Sequence, residues 1–161
     1  MILYHGSNTI IHTPDLAYSK PYKDFGKGFY LSADKHQAER MAEQRWAQTL
    51  EGAPAVTQFL FDETNLQSPS VQVKIFETYS VEWVEFVLRN RDMRIPQPTH
   101  SYDIVYGPIA DDSVTFQLRR YFAESITVEE LLNELKYSKG ITFQYYFGTQ
   151  KALNLLQRIC H

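Results

Sequence analysis

Three short stretches of this 161-residue chain carry side chains able to recognise or polarise a ligand. Tyr4-His5-Gly6-Ser7-Asn8 puts an imidazole, a residue without Cβ and two short polar tips at the end of an apolar run. Asp24-Phe25-Gly26-Lys27-Gly28-Phe29-Tyr30-Leu31-Ser32 delivers a phenol ring just after two glycines. Thr142-Phe143-Gln144-Tyr145-Tyr146-Phe147 sets one amide inside an aromatic strand. A glycine at the end of a strand lets a ligand approach the backbone and leaves its N–H and C=O available. A tyrosine offers a flat apolar face with a hydrogen-bonding tip. Each residue also has an ordinary alternative: a lone His at a strand end is usually structural, and a lone Tyr usually fills a core.

Other chemistries have less to stand on. Cys160 is the single cysteine, which excludes an internal disulfide and a cysteine-based zinc site. His12, His36, His100 and His161 lack a metal-ligand spacing, so no metal is expected. No serine sits in a nucleophile elbow. Gly26 and Gly28 precede a strand instead of opening a helix, which removes the dinucleotide-binding βαβ reading. Asp103, Asp111 and Asp112 flank a strand and its turn; acids at a helix start are favoured as caps. Arg89, Arg91 and Arg94 form a basic cluster beside a proline-containing loop, and Arg119-Arg120 form another; both read first as solvated surface.

The elements that must position these residues follow from period and punctuation. Strands are expected at 2–5, 28–32, 56–61, 71–76, 104–106 and 141–147, and helices at about 35–50, 81–90, 112–122, 127–135 and from Thr149 to the end. Asp34 is a plausible N-cap, Thr127-x-x-Glu130 is a capping box, and residues 8–27 form a long loop of the kind that serves as a lid or binding segment. Strands and helices do not alternate regularly, so the fold class is α+β, in one domain spanning 1–161. Hydrophobic content is 43%, charged content 22% and net charge −3, which fits a globular chain without a global field for nucleic acid. No apolar run reaches the roughly 18 residues of a membrane span, and the first twenty residues contain no signal-type apolar region, so a cytoplasmic chain is expected.

The pattern YHGS…PDL…DFGKGFYL…YDIVYGPIADD resembles a family of small bacterial proteins of unassigned function. The paired His-Gly-Ser and Gly-Lys-Gly-Phe-Tyr motifs also resemble the ADP-ribosyltransferase fold, in the His-Tyr-Glu branch of diphtheria-toxin-like enzymes and poly-ADP-ribose polymerases. The resemblance implies split antiparallel and mixed β-sheets around an NAD cleft, flanked by helices. It implies that the Gly6 backbone holds the nicotinamide carboxamide with Ser7 nearby, that His5 bonds the adenosine-side ribose, and that Tyr30 stacks on nicotinamide. Asn8 and Gly28 belong to the same cofactor-binding set.

The chain departs from that branch at its third motif position. The glutamate that would bind the nicotinamide-ribose 2′-hydroxyl is replaced by Gln144, and no Glu or Asp occurs from Ile141 to the C-terminus. An amide accepts the hydroxyl bond without charge and cannot act as a base. Two outcomes follow: single transfer to an easily activated nucleophile, or a carboxylate from elsewhere, with Asp103, Asp111 and Asp112 as candidates. The implied function is mono-ADP-ribosyl transfer from NAD to an unknown protein, nucleic-acid or small-molecule acceptor, in the setting of a toxin held by an antitoxin chain. The alternatives are an NAD- or ADP-ribose-binding module without turnover, and a scaffold whose cleft is only a core feature.

Overall fold

The computed structural model describes residues 1–137 and 140–160, which leaves His161 outside the described residues. Seven strands, five α-helices and two 3-10 turns occur among them. Strands β1 (Ile2–Ser7), β3 (Ala55–Phe61) and β7 (Leu156–Arg158) form an antiparallel sheet in the order β1-β3-β7. Strands β2 (Phe29–Leu31), β6 (Phe143–Phe147), β5 (Ile104–Pro108) and β4 (Val73–Ile75) form a second sheet in the order β2-β6-β5-β4. Only its β4–β5 pair is parallel. The architecture is therefore α+β with one antiparallel and one mixed sheet.

Strand alternation explains the layers. Leu3 of β1, Phe59 and Phe61 of β3, Phe29 and Leu31 of β2, Ile104 of β5, and Tyr145 and Phe147 of β6 all point inward and form one aromatic core between the sheets. The next residues along the second sheet, Val105 and Tyr146, point outward into another core. That core is closed by α2 (Val81–Arg91), α3 (Asp112–Phe122) and α4 (Val128–Lys136), through Trp83, Val84, Val87, Val114, Leu118, Leu131 and Leu135. At about 25 cal/mol per Å² of apolar surface, each such fully buried side chain contributes roughly 1.5–3 kcal/mol.

Helix α1 (Lys35–Thr49) starts on the expected Asp34 cap but does not bury the expected stripe. Ala38 and Ala42 are its buried residues, while Met41, Trp46 and Leu50 stay exposed. The cause is close approach. A Cβ on Gly6 would lie 1.9 Å from the Ala38 carbonyl oxygen and 2.9 Å from the Ala42 nitrogen, so α1 rests its backbone directly on β1. Large side chains cannot fit between them.

The C-terminus differs more. The expected final helix, with Leu156 and Ile159 on its face, stops after α5 (Gln150–Leu153), and Leu156–Arg158 becomes β7. Phe61 pairs with Leu156 and Phe59 with Arg158, so the open edge of β3 captures a segment whose apolar spacing also suits a helical turn. The 8–27 loop contains a 3-10 turn at Leu16–Tyr18, capped by Asp15. The other caps are local: Ser80 on α2, Asp111 on α3, Thr127 on α4 and Thr149 on α5.

Gly6→Ala must push α1 off β1. Overpacking of this kind costs about 1–3 kcal/mol, whereas Met41→Ala should stay within about 0.5 kcal/mol. Urea midpoints of the two variants against the parent check the contrast.

Candidate functional site

The two sheets meet edge to edge at one bridge, where Tyr4 N–H donates to Ser32 C=O (2.7 Å) and Ser32 N–H donates to Tyr4 C=O (2.9 Å). An antiparallel continuation would next pair Gly6 with Tyr30. It does not form. The Tyr30 carbonyl instead accepts from His5 Nδ1 at 2.7 Å, and β1 and β2 part. Met1 exchanges bonds with Phe61, so the odd residues of β1 face β3 and the even ones face β2. Gly6 accordingly turns its N–H and C=O into the split.

His5 sits at this fork, partly buried and stacked on Phe29 at a centroid distance of 4.3 Å. A carbonyl can only accept, so Nδ1 carries the proton and the neutral ring keeps Nε2 as an acceptor. Burial lowers the His5 pKa, while the Tyr30 carbonyl opposes that shift. The fold thus favours the neutral imidazole. His5 and Tyr30 are brought together through backbone, but their rings lean apart: His5 toward the inter-sheet core, Tyr30 toward the helical one.

The Tyr30 hydroxyl closes a loop. It accepts from Phe25 N–H (3.0 Å) and donates to Gly26 C=O (2.6 Å). The ring meets Tyr146 edge-on at 5.4 Å. Burial raises the phenol pKa well above its ordinary value, and the Asp24 carboxylate adds to the rise. Tyr30 stays protonated, with its orientation set by two backbone groups.

Gln144 lies on the same face of β6 as Tyr146, the register partner of Tyr30. Its Nε2 donates to Asp24 Oδ2 at 3.3 Å. Asp24 also accepts from Arg91 Nε (2.8 Å) and Nη2 through Oδ1, and from Ala110 N–H (3.0 Å) through Oδ2. Sequence reasoning passed over Asp24, although it opens the glycine motif. A carboxylate does stand beside Gln144, and it comes from the loop. Its contact engages Nε2, the donor end of the amide, and Oε1 is the acceptor end. It also gives a reason for Gln at this position, since a glutamate would set two carboxylates against each other.

The other acids expected as substitutes are engaged elsewhere. Asp103 accepts from Gln72 N–H (2.8 Å) and Thr149 Oγ1 (2.6 Å) and pairs with Lys151 Nζ (3.1 Å), at the far end of the β5–β6 ladder from Gln144. Asp111 caps α3 through Val114 N–H (2.9 Å), and exposed Asp112 begins that helix. Two glycines are explained by packing. Gly6 yields to α1, and a Cβ on Gly28 would lie 2.2 Å from the Tyr146 ring. Asn8 ties β1 to the end of α1 through Thr49 Oγ1 (3.3 Å) and Glu51 C=O (3.2 Å), and Ser7 Oγ bonds its side chain (3.3 Å).

Residues 24–27, within the loop expected as a lid or binding segment, are latched. Buried Asn90 donates to Asp24 C=O (3.1 Å), His100 Nε2 to Phe25 C=O (2.6 Å) and the Tyr146 hydroxyl to Lys27 C=O (3.1 Å). His100 Nδ1 accepts from Tyr102 N–H (3.1 Å), which fixes the neutral tautomer; burial lowers its pKa against the effect of the Phe25 carbonyl. Two shallow concavities lie away from the split, between α2 and α3 (about 370 Å³) and around the α3–α4 turn (about 470 Å³). Neither is lined by His5, Tyr30 or Gln144. Among the described residues, no three His, Cys, Asp or Glu side chains gather as metal ligands, and no helix is long and apolar enough to cross a membrane.

A family profile described as "Protein of unknown function (DUF3990)" matches residues 1–158. The chain belongs to that family. No curated protein and no solved structure matches it. The profile covers both motif strands, Asp24 and Gln144, so the DUF3990 domain includes the whole split and its latch.

Three results should follow. Arg91→Ala leaves the Asp24 carboxylate buried without its cation, and breaking such a pair costs about 3–5 kcal/mol in denaturant unfolding. Gln144→Glu should lower the thermal midpoint at pH 7 and recover part of it near pH 4.5, where one carboxyl of the new pair is protonated. His5 and His100 are held below their ordinary value of 6.5, so below it the unfolded chain binds protons that the folded chain refuses. Stability should therefore fall as pH drops from 7.5 to 5.5, less steeply in His100→Gln, as read from urea midpoints.

Proposed function

We propose that this chain binds NAD along the β1–β2 split and acts as a mono-ADP-ribosyltransferase, expelling nicotinamide and joining ADP-ribose to an acceptor nucleophile. The observation that carries the reading is the unclosed ladder: Gly6 directs one N–H and one C=O into the split beyond the Tyr4–Ser32 bridge. A carboxamide donates and accepts in one plane, so nicotinamide would dock there as a short extra strand. His5 Nε2 would accept from a ribose hydroxyl, and the Tyr30 ring would flank the pyridine. Gln144 Oε1 would accept the 2′-hydroxyl of the nicotinamide ribose.

In the reaction the bond from ribose C1′ to the pyridine nitrogen breaks, and its electron pair leaves on nicotinamide. A lone pair of the acceptor forms the new bond to C1′, and the acceptor's proton passes to solvent. The Gln144 oxygen stabilises positive charge on the ribose, reinforced by the Asp24 carboxylate that polarises the same amide. On this reading the partners are an ADP-ribose acceptor and an antitoxin chain that keeps the activity in check.

A second reading, a binding module without turnover, draws on the same hub. Both oxygens of Asp24 are already occupied, and an uncharged amide forms a bond roughly half as strong as a carboxylate would. Incubation of near-stoichiometric protein with labelled NAD and a host lysate separates the two. Label on a macromolecule, with nicotinamide release and loss of both in His5→Ala, is the expected result. Calorimetric binding without release over hours would mean a module, and neither binding nor label would end the nucleotide reading. His5→Ala should weaken NAD binding about five- to ten-fold, the worth of one hydrogen bond.

A further inference from the structure

The 370 Å³ cavity between α2 and α3 lies outside the split and has its own chemistry. Leu88, Met93, Leu118 and Phe122 supply apolar walls, and Arg91, Arg94 and Arg119 bring three guanidinium groups to the same space. Two of the three are already matched. Arg91 is taken by Asp24 and by Thr115 Oγ1 (3.1 Å); Arg94 is taken by Asp92 through Nε and Nη2, both at 2.9 Å. Arg119 has no carboxylate partner among the described residues. With Asp24 outside the lining set against Arg91 and Asp92 within it set against Arg94, the Arg119 charge is left over.

The apolar part is as specific. Phe122 is 55% exposed and Met93 76% exposed, so two large apolar side chains stand open to a ligand at the rim of the concavity. The Arg94 guanidinium lies over the Phe122 ring at 5.2 Å, so a cation and an aromatic face already form one wall. Asp92, the remaining acid of the lining, is held to about 2 by its bonds to Arg94 and does not offer a competing free carboxylate. The volume falls within the range of small-molecule sites.

We infer that this cavity is a binding site for a small aromatic anion, an aryl carboxylate or aryl phosphate, whose acidic head pairs with Arg119 while its ring packs against Phe122 and Met93. Guanidinium suits either head group, because its planar fork matches carboxylate and phosphate oxygens alike. The site is independent of the nucleotide reading of the split. It is nonetheless one residue away from the hub, since Arg91 lines the cavity and holds Asp24.

The test is a titration of the full chain, followed by amide chemical shifts, with benzoate and phenyl phosphate as the two probes and phenol and inorganic phosphate as half-ligands. Shifts confined to residues 88–94 and 115–122, with one probe tighter than the other, would support the site and name its head-group class. Each half-ligand should bind at least several-fold more weakly than the matching whole. Arg119→Ala, on an exposed side chain that leaves the fold intact, should weaken the better probe about five-fold, with Arg119→Lys in between. Absence of shifts at millimolar probe, or equal binding by parent and Arg119→Ala, would overturn the proposal. NAD is not used, so these outcomes stand whatever the split binds.

Discussion

Asp24 is a nearly buried carboxylate on a loop, and three separate pieces of the chain converge on it. Arg91 comes from α2, Ala110 N–H from the turn before α3, Gln144 from β6, and Asn90 reaches the Asp24 carbonyl. A charge with 9% of its surface exposed is tolerable only when it is paired and hydrogen-bonded, and here Oδ1 is held by the Arg91 guanidinium while Oδ2 accepts from Ala110 N–H and Gln144 Nε2. That requirement locks the loop against the second sheet. Phe25 then fills the space left above Gly107, where a Cβ would approach the Phe25 and Phe76 side chains to 3.1 Å. The outer core and the approach to β2 both depend on this one ionic contact.

The split between the sheets is a second consequence of the same restraint. With the 24–28 segment latched and Tyr30 bound back onto it, β2 is held to β6 and cannot follow β1 past Ser32. His5 fills the first missing rung with its side chain, which engages the Tyr30 carbonyl and leaves the Gly6 N–H and C=O directed into the split. A pair of strands that closed fully would have no such edge. The split is therefore built from backbone as much as from side chains, and the concavities at α2–α3 and around the α3–α4 turn lie elsewhere.

Much of this was readable in the sequence because it is local. Asp34 and Thr127 cap helices through a side chain reaching two or three residues onward, a bond within the span that sequence inspection covers. Alternation in Phe29-Tyr30-Leu31 and in Tyr145-Tyr146-Phe147 assigns inward and outward faces with no further information. Where the outcome depends on a distant partner, local pattern misleads. Met41 and Trp46 have helical spacing yet stay exposed, because Gly6 draws α1 in too closely for them. Leu156 and Ile159 suit a helical face, but the open edge of β3 turns Leu156–Arg158 into a strand.

The same division holds for the candidate site. The sequence by itself determined the α+β class, most helix starts, the two motif strands and the absence of an acid in the last aromatic strand, all of which follow from residue type and short-range period. Only the tertiary structure decided that Asp24, 120 positions before Gln144, would lie beside it, and that Arg91 would be locked inside while Arg119 stayed without a carboxylate. It also decided that Gly6 would serve two contacts at once, with α1 on one side and the split on its edge. The physical reason is range. Caps and alternation act within a few residues, whereas burying a charge selects partners from anywhere in the chain by which groups can satisfy it.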